Sequence, residues 1–357
     1  MYDINRSQKE QVGNSSRVSP FVVDHFDSWQ MAASVRTNIT SPYNIPIIGA
    51  VGGGKGGVGK SIVSANIASM LAQFGFRVLV IDLDIGCSNL HSHFGVSMPK
   101  KSIADFLISR RLSFRDIILP APIQGVAFVA GGREDQLLHE IESSQEAVVR
   151  LWEAIYDSKR NFKVDIVLLD LGAGTHRHTL DFFVGSHLGI LTVLPEPTSI
   201  ENAYVFLKMV LMKMMMNIGE NTRQQETAHD IVEALGKMSG GSLNKGYAHF
   251  IRSMKISYPR FVHNYQQSVT GRYTGILVNQ TRDQGDMDIG HSMEHICAKY
   301  FGLQSKYLGY LNHDEAVLKS LRNRRLLIAD FPHSMIAKRI SIAASNCLNL
   351  LGIQRRV

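Results

Sequence analysis

The sequence has few cysteines, no long apolar run and no strong excess of charge of either sign. Its three cysteines, Cys87, Cys297 and Cys347, lie far apart and form no CxxC pair. That pattern argues against a disulfide framework, a structural zinc site and an iron–sulfur cluster. The longest apolar stretches, such as Gly189 to Leu194, are much shorter than the roughly 20 residues that a membrane-spanning helix needs. The sequence therefore predicts a protein that is not integral to a membrane.

The N-terminal residues Met1 to Ser19 are polar and lack the apolar segment of a signal peptide, so we expect a cytoplasmic location. Lys and Arg number 38 against 31 Asp and Glu, a formal charge of +7. This modest excess permits contact with nucleic acid or anionic lipid but requires neither. The chain has 357 residues, of which 45% are hydrophobic. That is enough for a large core in one large α/β domain or two average ones.

Residues 1–44 are rich in Ser, Asn, Gln and charge without a helical or strand period, and they predict a polar N-terminal arm. From residue 45 to 357, short β-branched runs alternate with helical patterns. Each run is apolar on both faces, as in strands of a covered parallel sheet. The predicted strands are Ile47–Val51, Val78–Ile81, Val126–Val129, Asp165–Leu169, Gly189–Val193, Gly275–Val278 and Tyr307–Leu311. The pattern predicts an α/β fold with a doubly wound, mostly parallel sheet.

One interval interrupts this alternation. Residues 216–272 separate two predicted strands by far more than one crossover helix, and they predict a helical insertion. Within it, Thr227–Met238 has the pattern of one helix, and His249–Gln267 that of a second, interrupted at Pro259.

A glycine-rich segment, Gly52 to Ser61, lies between the first predicted strand and the first predicted helix, Ser61–Phe74. Residues 54–61 match GxxxxGK[ST], the phosphate-binding loop of nucleotide triphosphatases. In such a loop, backbone N–H groups and the helix N-terminus surround the phosphates, the lysine (here Lys60) contacts them and the serine (Ser61) coordinates Mg²⁺. The same glycines also fit the weaker GxGxxG dinucleotide pattern, and a tight turn without function is the remaining alternative.

The form GGKGGVGKS, with a second lysine at Lys55, resembles the deviant phosphate loop of the MinD/ParA ATPases. The resemblance covers about residues 45–351. Three further segments agree with the family at its usual spacing. Asp82–Gly86 is similar to the first switch, Asp170–Gly174 to the second, and Leu277–Gln280 to the strand whose Asn reads adenine. Pro195–Tyr204 is similar to the corresponding segment of the FlhG group of flagellar number regulators.

This resemblance implies a P-loop ATPase with ATP and Mg²⁺ as ligands and slow hydrolysis in an ATP-sandwiched homodimer. It implies that Asp84 orients the attacking water, and that Lys55 crosses to the partner's phosphates in the manner of an arginine finger. The implied catalytic residues are Lys55, Lys60 and Asp84. The implied nucleotide-binding residues are Gly54, Lys55, Gly56, Gly57, Val58, Gly59, Lys60, Ser61, Ile62 and Asn279. The implied metal-binding residues are Ser61, Asp82 and Asp170, the two carboxylates acting through water.

Three cellular roles remain open at this point. The first is a MinD/FlhG-like spatial regulator that dimerises with ATP and recruits an unidentified protein partner. The second is a ParA-like DNA-segregation ATPase that holds non-specific DNA, for which the basic run at Arg322, Arg324 and Arg325 is the candidate surface. The third, an iron–sulfur assembly scaffold, is disfavoured by the lack of paired cysteines. Two departures from the family matter here. The N-terminal arm lacks the DQAxxLR-like motif of flagellar number regulators, and residues 309–314 lack the proline usual near the base.

Three weaker patterns have two interpretations each. The amphipathic segment Ile336–Val357 either closes the fold or contacts a membrane surface. The methionines between Met209 and Met216 either fill core gaps or form a pliable partner-binding face. Two His-x-His pairs, at residues 91/93 and 176/178, are either ordinary loop residues or metal ligands.

Overall fold

The β-strands form one sheet in the computed structural model, which describes residues 45–85, 87–132, 144–237 and 246–356. The predicted polar arm, residues 1–44, lies outside the described residues. The described strands are β1 (Ile47–Gly52), β2 (Val78–Leu83), β3 (Leu119–Pro120), β4 (Val126–Val129), β5 (Ile166–Leu171), β6 (Leu188–Val193), β7 (Tyr273–Thr281) and β8 (Ser305–Asn312). Their order across the sheet is β3-β4-β2-β5-β1-β6-β7-β8.

All neighbouring strands in this order are parallel except β3 and β4. Each of the seven predicted strands coincides with an observed one, and the predicted doubly wound, mostly parallel α/β fold is confirmed. The strand that the sequence did not reveal is β3, which has two residues and pairs antiparallel at the edge. Strand β1 lies between β5 and β6, so the loop that follows it leaves from the middle of the sheet.

Helices cover both faces of the sheet. They are α1 (Lys60–Gln73), α2 (Leu90–His93), α3 (Ile103–Ile108), α4 (Gln145–Phe162), α5 (Arg177–Gly185), α6 (Pro197–Asn221), α7 (Gln225–Lys237), α8 (Gly246–Ser257), α9 (Pro259–Val269), α10 (Gln284–Ile296), α11 (Glu315–Arg322), α12 (Leu327–Asp330) and α13 (Met335–Leu350). None of the helices in these ranges combines the length and the apolar character needed to span a bilayer.

Successive strand residues face two separate hydrophobic cores, as the pleat of a strand requires. In β2, Val78 and Val80 contribute to one core, and Leu79 and Ile81 to the other. Helices α1, α12 and α13 bury apolar side chains in the first core, and α4 to α10 bury theirs in the second. The strands are apolar on both faces because both faces are covered.

The segment predicted as an insertion, residues 216–272, begins inside α6, because that helix continues to Asn221. The predicted helix Thr227–Met238 corresponds to α7, and the predicted break at Pro259 separates α8 from α9. Proline suits the first position of α9 because the N–H it lacks would have no helical partner there.

Two of the weaker patterns lie mainly in the cores. In α13 the apolar residues Ile336, Ile340 and Cys347 are buried, and the helix packs on α1 and β8. In α6, Met214 and Met215 are buried, and the neighbouring methionines pack partly buried against the same core. Helix α13 therefore closes the fold, and the methionines of α6 fill the core.

Candidate functional site

The phosphate loop connects β1 to α1. Gly57 and Gly59 have φ angles of 77° and 91°, a left-handed conformation that residues with a Cβ rarely adopt. Gly59 is the N-cap of α1, and no side chain caps this helix end. Backbone N–H groups at the start of the helix are thus available for an anion, and the helix dipole favours negative charge there.

Neighbouring elements hold the loop closely. A Cβ at Gly54 would collide with the backbone carbonyl oxygen of Asn202 in α6. A Cβ at Gly59 would collide with the side-chain amide of Asn279, which donates a hydrogen bond of 2.8 Å to the carbonyl oxygen of Val58. These contacts explain two of the glycines, because the loop lies too close to other atoms for a larger residue.

A cleft of about 640 Å³ opens in front of the loop, a size typical of small-molecule sites. It is lined by the loop and by Lys60, Ser61 and Asp84. It is also lined by residues at the carboxyl ends of β7 and β8 and just after β8: Asn279, Gln280, Leu311, Asn312, His313 and Asp314. The cleft therefore has room for a small molecule that contacts both the loop and the ends of β7 and β8.

Asp170, at the end of β5, is completely buried behind the loop. Its Oδ1 accepts a hydrogen bond of 2.8 Å from the Ser64 hydroxyl. Its Oδ2 is buried and has no hydrogen-bond partner among the described residues. Burial raises the pKa of this carboxyl to about 6, while Ser61, Ser64 and Lys60 act to lower it. An unpartnered carboxylate oxygen beside a serine hydroxyl is chemically suited to a divalent cation or to its water.

Asp82 is the partner of Asp170 in the sheet register and is also completely buried. Both of its oxygens are occupied. Oδ1 accepts the backbone N–H of Asp84 at 3.0 Å, and Oδ2 accepts the Ser88 hydroxyl at 2.6 Å and the Leu90 N–H at 3.2 Å. Burial, and then the charge of Asp170, raise its pKa to about 7. Asp82 thus holds the loop after β2 in shape, and its implied place near Mg²⁺ stays a prediction.

Asp84 lies in the cleft and is only partly buried. Burial raises the pKa of its carboxyl, and the nearby ammonium of Lys60 lowers it. Lys60 is itself 7% exposed and acts on Asp170 as well. One buried cation therefore faces two carboxyl groups, an arrangement in which an added anionic phosphate gains a strong partner.

Lys55 has a different environment. Its ammonium is 3.4 Å from the Thr198 hydroxyl and 3.6 Å from the Glu196 carboxylate, both at the start of α6. The side chains of Lys55 and Glu196 are 41% and 55% exposed. In this conformation the lysine is held by its own chain at the surface.

The structure brings most of the sequence-derived site residues together, and it adds others. Gly57, Gly59, Lys60, Ser61, Ile62, Asp84 and Asn279 line the cleft. Ser64 follows Ser61 by three residues and so shares its helix face, a spacing that could have revealed it. Gln280 was not identifiable, because it reaches the cleft through a register irregularity between β7 and β8 and a positive φ of 59°.

The two His-x-His pairs lie on different elements. His91 and His93 belong to α2, whereas His176 and His178 lie at the start of α5. His93 lines the cleft, and its pKa is lowered to about 4 by burial and by His91. No group of three or more His, Cys, Asp or Glu side chains that could hold a metal ion occurs in the described ranges.

The sequence also matches the model of a known protein family. The model of the CobQ/CobB/MinD/ParA nucleotide binding domain matches residues 49–327. That span contains the phosphate loop, both aspartate-bearing strands and the β7 residues that line the cleft.

Curated relatives share part of the sequence. The chain is 37% identical to antiactivator FleN of Pseudomonas aeruginosa over 161 residues, which is 45% of this chain and 55% of FleN. It is 30% identical to the flagellum site-determining protein YlxH of Helicobacter pylori over 159 residues, 44% of this chain and 52% of YlxH. The matches thus span about half of each relative.

Solved structures share the fold. The septum site-determining protein MinD from Pyrococcus horikoshii OT3, solved with Mg-ADP, aligns with a TM-score of 0.57 at 18% identity, covering 88% of this chain and 100% of MinD. A ParA family ATPase from Chlorobium tepidum TLS aligns with a TM-score of 0.56 at 15% identity, covering 85% of this chain and 98% of that protein.

Proposed function

Because the chain belongs to the CobQ/CobB/MinD/ParA nucleotide-binding family, we propose that it is an ATP-hydrolysing switch. In this proposal it dimerises when it binds ATP, and the dimer recruits a protein partner as a MinD/FlhG-like spatial regulator. The observation that carries the proposal is the phosphate loop with its buried Lys60, opening on a cleft that is also lined by Asn279 and by the residues after β8.

In the proposed complex the loop N–H groups and Lys60 bind the β- and γ-phosphates. The base lies in the same cleft, beside Asn279. Two features of the free chain support this. The loop conformation is already set by Gly57 and Gly59, and the Asn279 amide ties β7 to the loop. A preformed site of this kind loses little conformational entropy when the ligand binds.

Ser61 and Asp170 are the residues that would hold Mg²⁺, and the unpartnered Oδ2 of Asp170 fits that role. When bound, the ion would neutralise negative charge on the nucleotide phosphates. Ser64 fixes the Asp170 carboxyl by a hydrogen bond to its other oxygen. The carboxyl therefore keeps one oxygen directed by the protein and one available for the ion or its water.

For hydrolysis, Asp84 orients the attacking water. Its carboxyl lines the cleft beside Lys60, and it is the most exposed of the three site carboxyls. Lys55 completes the site of the partner copy in the dimer, which requires it to leave Glu196 and Thr198. Turnover is consequently slow and depends on dimerisation.

The spatial role rests on relatives that are named for flagellar placement and for antiactivation. A cytoplasmic location with reversible attachment at the inner membrane or cell pole belongs to this proposal. The alternative is a ParA-like ATPase that binds non-specific DNA. Arg322 and Arg324, which lie on the surface that would contact the DNA, are exposed.

The proposal is tested with Asp84→Ala and, as the matched control, Asp288→Ala, which removes an exposed carboxyl on α10. Calorimetry measures ATP affinity, phosphate release measures turnover and light scattering measures mass. We expect the wild type and the control to hydrolyse ATP at a rate per molecule that rises with protein concentration. Asp84→Ala should bind ATP and accumulate as a dimer without turnover.

Absence of ATP binding by the wild type would refute the switch. Turnover per molecule that is independent of concentration would refute the dimer. Salt-sensitive binding of arbitrary DNA duplexes by the ATP form would favour the DNA-segregation alternative.

A further inference from the structure

Helices α8 and α9 form a hairpin whose composition differs from that of the rest of the chain. Residues 246–269 contain no Asp or Glu. They contain three basic residues, Arg252, Lys255 and Arg260, and all three are exposed. The chain as a whole carries nearly balanced charge, with 38 basic and 31 acidic residues, so the hairpin is a local concentration of positive charge.

The hairpin has a buried inner face and an exposed outer face. Phe250, Phe261, Val262 and Tyr265 are buried, with exposures of 3% or less, and they anchor the two helices to the protein. On α8, residues 249, 252, 255 and 256 are all exposed. Their spacing of three and four residues places them on one side of the helix. Arg252 and Lys255 therefore share one side of α8, and Arg260 is exposed at the start of α9.

Ile256 lies at the tip of the hairpin, next to the turn into α9. It is 86% exposed, the highest value among the exposed large hydrophobic residues of the described chain. Its neighbours Lys255, Ser257, Pro259 and Arg260 are exposed as well. An isoleucine in this position presents its whole side chain to water among positive charges.

One carboxylate lies beside the turn between α8 and α9. It belongs to Asp230 of α7, which accepts a hydrogen bond of 3.2 Å from the Tyr258 hydroxyl and keeps its negative charge, so three basic groups face one acidic group. None of Arg252, Lys255 and Arg260 forms an ion pair with another described residue. Their charges are thus available to an external anionic surface.

We propose that the tip of the α8–α9 hairpin is a docking point for an anionic lipid bilayer. In this arrangement the Ile256 side chain enters the boundary between headgroups and acyl chains, while Arg252, Lys255 and Arg260 contact lipid phosphates. A lipid surface accounts for both features, whereas a nucleic acid backbone would use the charges and leave the isoleucine in water. Attachment is weak and reversible because one apolar side chain is a small anchor.

This surface is separate from the C-terminal helix. The apolar face of α13 is buried against α1 and β8, so α13 cannot offer that face to a bilayer without leaving the core. It does expose Ile342, at 46%. Ile342→Ser is therefore a matched control for Ile256→Ser, since each removes one exposed isoleucine from a helix.

The test is co-sedimentation of the full chain with vesicles of phosphatidylglycerol and phosphatidylethanolamine, and with vesicles of phosphatidylcholine alone. We expect the wild type to bind the anionic vesicles and not the neutral ones, and to lose binding at high salt. Ile256→Ser should weaken binding about tenfold, the affinity lost with one buried apolar side chain. Ile256→Trp, which keeps a large apolar side chain at this position, should bind anionic vesicles as the wild type does. The double variant Lys255→Glu with Arg260→Glu should not bind them, and Ile342→Ser should bind them as the wild type does.

Equal binding by Ile256→Ser and the wild type would overturn the proposal, as would equal binding to neutral and anionic vesicles. Binding that is lost in Ile342→Ser and kept in Ile256→Ser would move the contact to α13. If the charge-reversed variant loses duplex DNA binding while the wild type ignores vesicles, the surface recognises nucleic acid instead. ATP affinity is measured on the same samples, because its absence would refute the proposed switch without bearing on the hairpin.

Discussion

The nucleotide edge of the sheet and the helices α7 to α9 are built in opposite ways. At the nucleotide edge, the backbone itself is crowded: a Cβ at Gly54 or Gly59 would collide with α6 or with Asn279, and Asp82 has both oxygens hydrogen-bonded. In α7 to α9, only one face of each helix is packed. Gly236, for example, has no neighbour within 4 Å of the position a Cβ would take.

This difference matches the roles proposed for the two regions, nucleotide binding at the first and surface docking at the second. A phosphate loop must hold its N–H groups in one geometry before the ligand arrives, so contacts with neighbouring elements fix its backbone conformation. A docking surface of the kind proposed needs only a fixed inner face, and its outer residues are free to differ. Substitutions should therefore have large effects at the first region and small ones at the second.

The largest effect is expected for Lys60→Ala, which removes the buried cation of the cleft. ATP affinity should fall at least about 100-fold, since losing one charged partner in a desolvated site costs about 3 kcal/mol or more. Lys255→Ala, which removes an exposed lysine from α8, is the control and should keep wild-type affinity. Calorimetry with both variants measures this, and unchanged affinity in Lys60→Ala would contradict the assignment of the loop.

The next effect concerns pH. The pKa of Asp82 is raised to about 7 by burial and by Asp170, so the folded state binds its proton more tightly than the unfolded state does. The stabilising contribution of this proton is complete below about pH 4 and is lost as pH rises toward 7. Asp82→Asn removes the titrating group and should flatten that part of the profile.

Urea unfolding at several pH values measures how steeply the free energy of unfolding changes with pH. The control is Asp230→Asn, which removes an exposed carboxyl in α7 and should keep the wild-type slope. A slope in Asp82→Asn as steep as that of the wild type would show that other groups dominate the pH dependence.

Much of this arrangement was predictable from the sequence, and the limits have physical causes. Seven strands were predictable because apolar runs at strand length are specific when both faces are buried. Strand β3 was not, because two residues carry no periodicity. The hydrogen bond between Ser88 and Asp82 could not be foreseen either, since a serine in a loop gives no signal of its partner. The contact of Lys55 with Glu196 joins residues that are distant in the chain, and only the fold brings them together.

A smaller effect follows from one pair of glycines. Gly54→Ala should lower ATP affinity and reduce the free energy of unfolding by about 1–3 kcal/mol, because the added methyl group overlaps a backbone carbonyl that cannot move alone. Gly236→Ala, in α7, should instead stabilise the protein by up to about 1 kcal/mol, since alanine favours a helix and the site is open. Thermal and urea unfolding compare the two. Equal changes in the free energy of unfolding for Gly54→Ala and Gly236→Ala would show that the phosphate loop is no more crowded than α7.

The smallest effect is expected at the surface pair of Lys55 and Glu196. Exposed ion pairs contribute about 0.2–1 kcal/mol, so Glu196→Gln should free Lys55 for the partner copy and strengthen ATP-driven dimerisation by up to about fivefold. Glu233→Gln breaks a similar exposed pair in α7 and should change nothing. Light scattering with ATP across a dilution series measures dimerisation, and high salt should shrink the difference between Glu196→Gln and the wild type.

The direction of this last effect decides how Glu196 acts. If it competes with the partner's phosphates for Lys55, dimerisation rises in Glu196→Gln, and the gain disappears when Lys55→Ala is added, because the two changes act through one contact. If Glu196 instead directs Lys55 toward the partner, dimerisation falls in Glu196→Gln and the competition model is wrong. Either result would show how the contact between Lys55 and Glu196 within one chain affects the ATP-driven dimerisation of two chains.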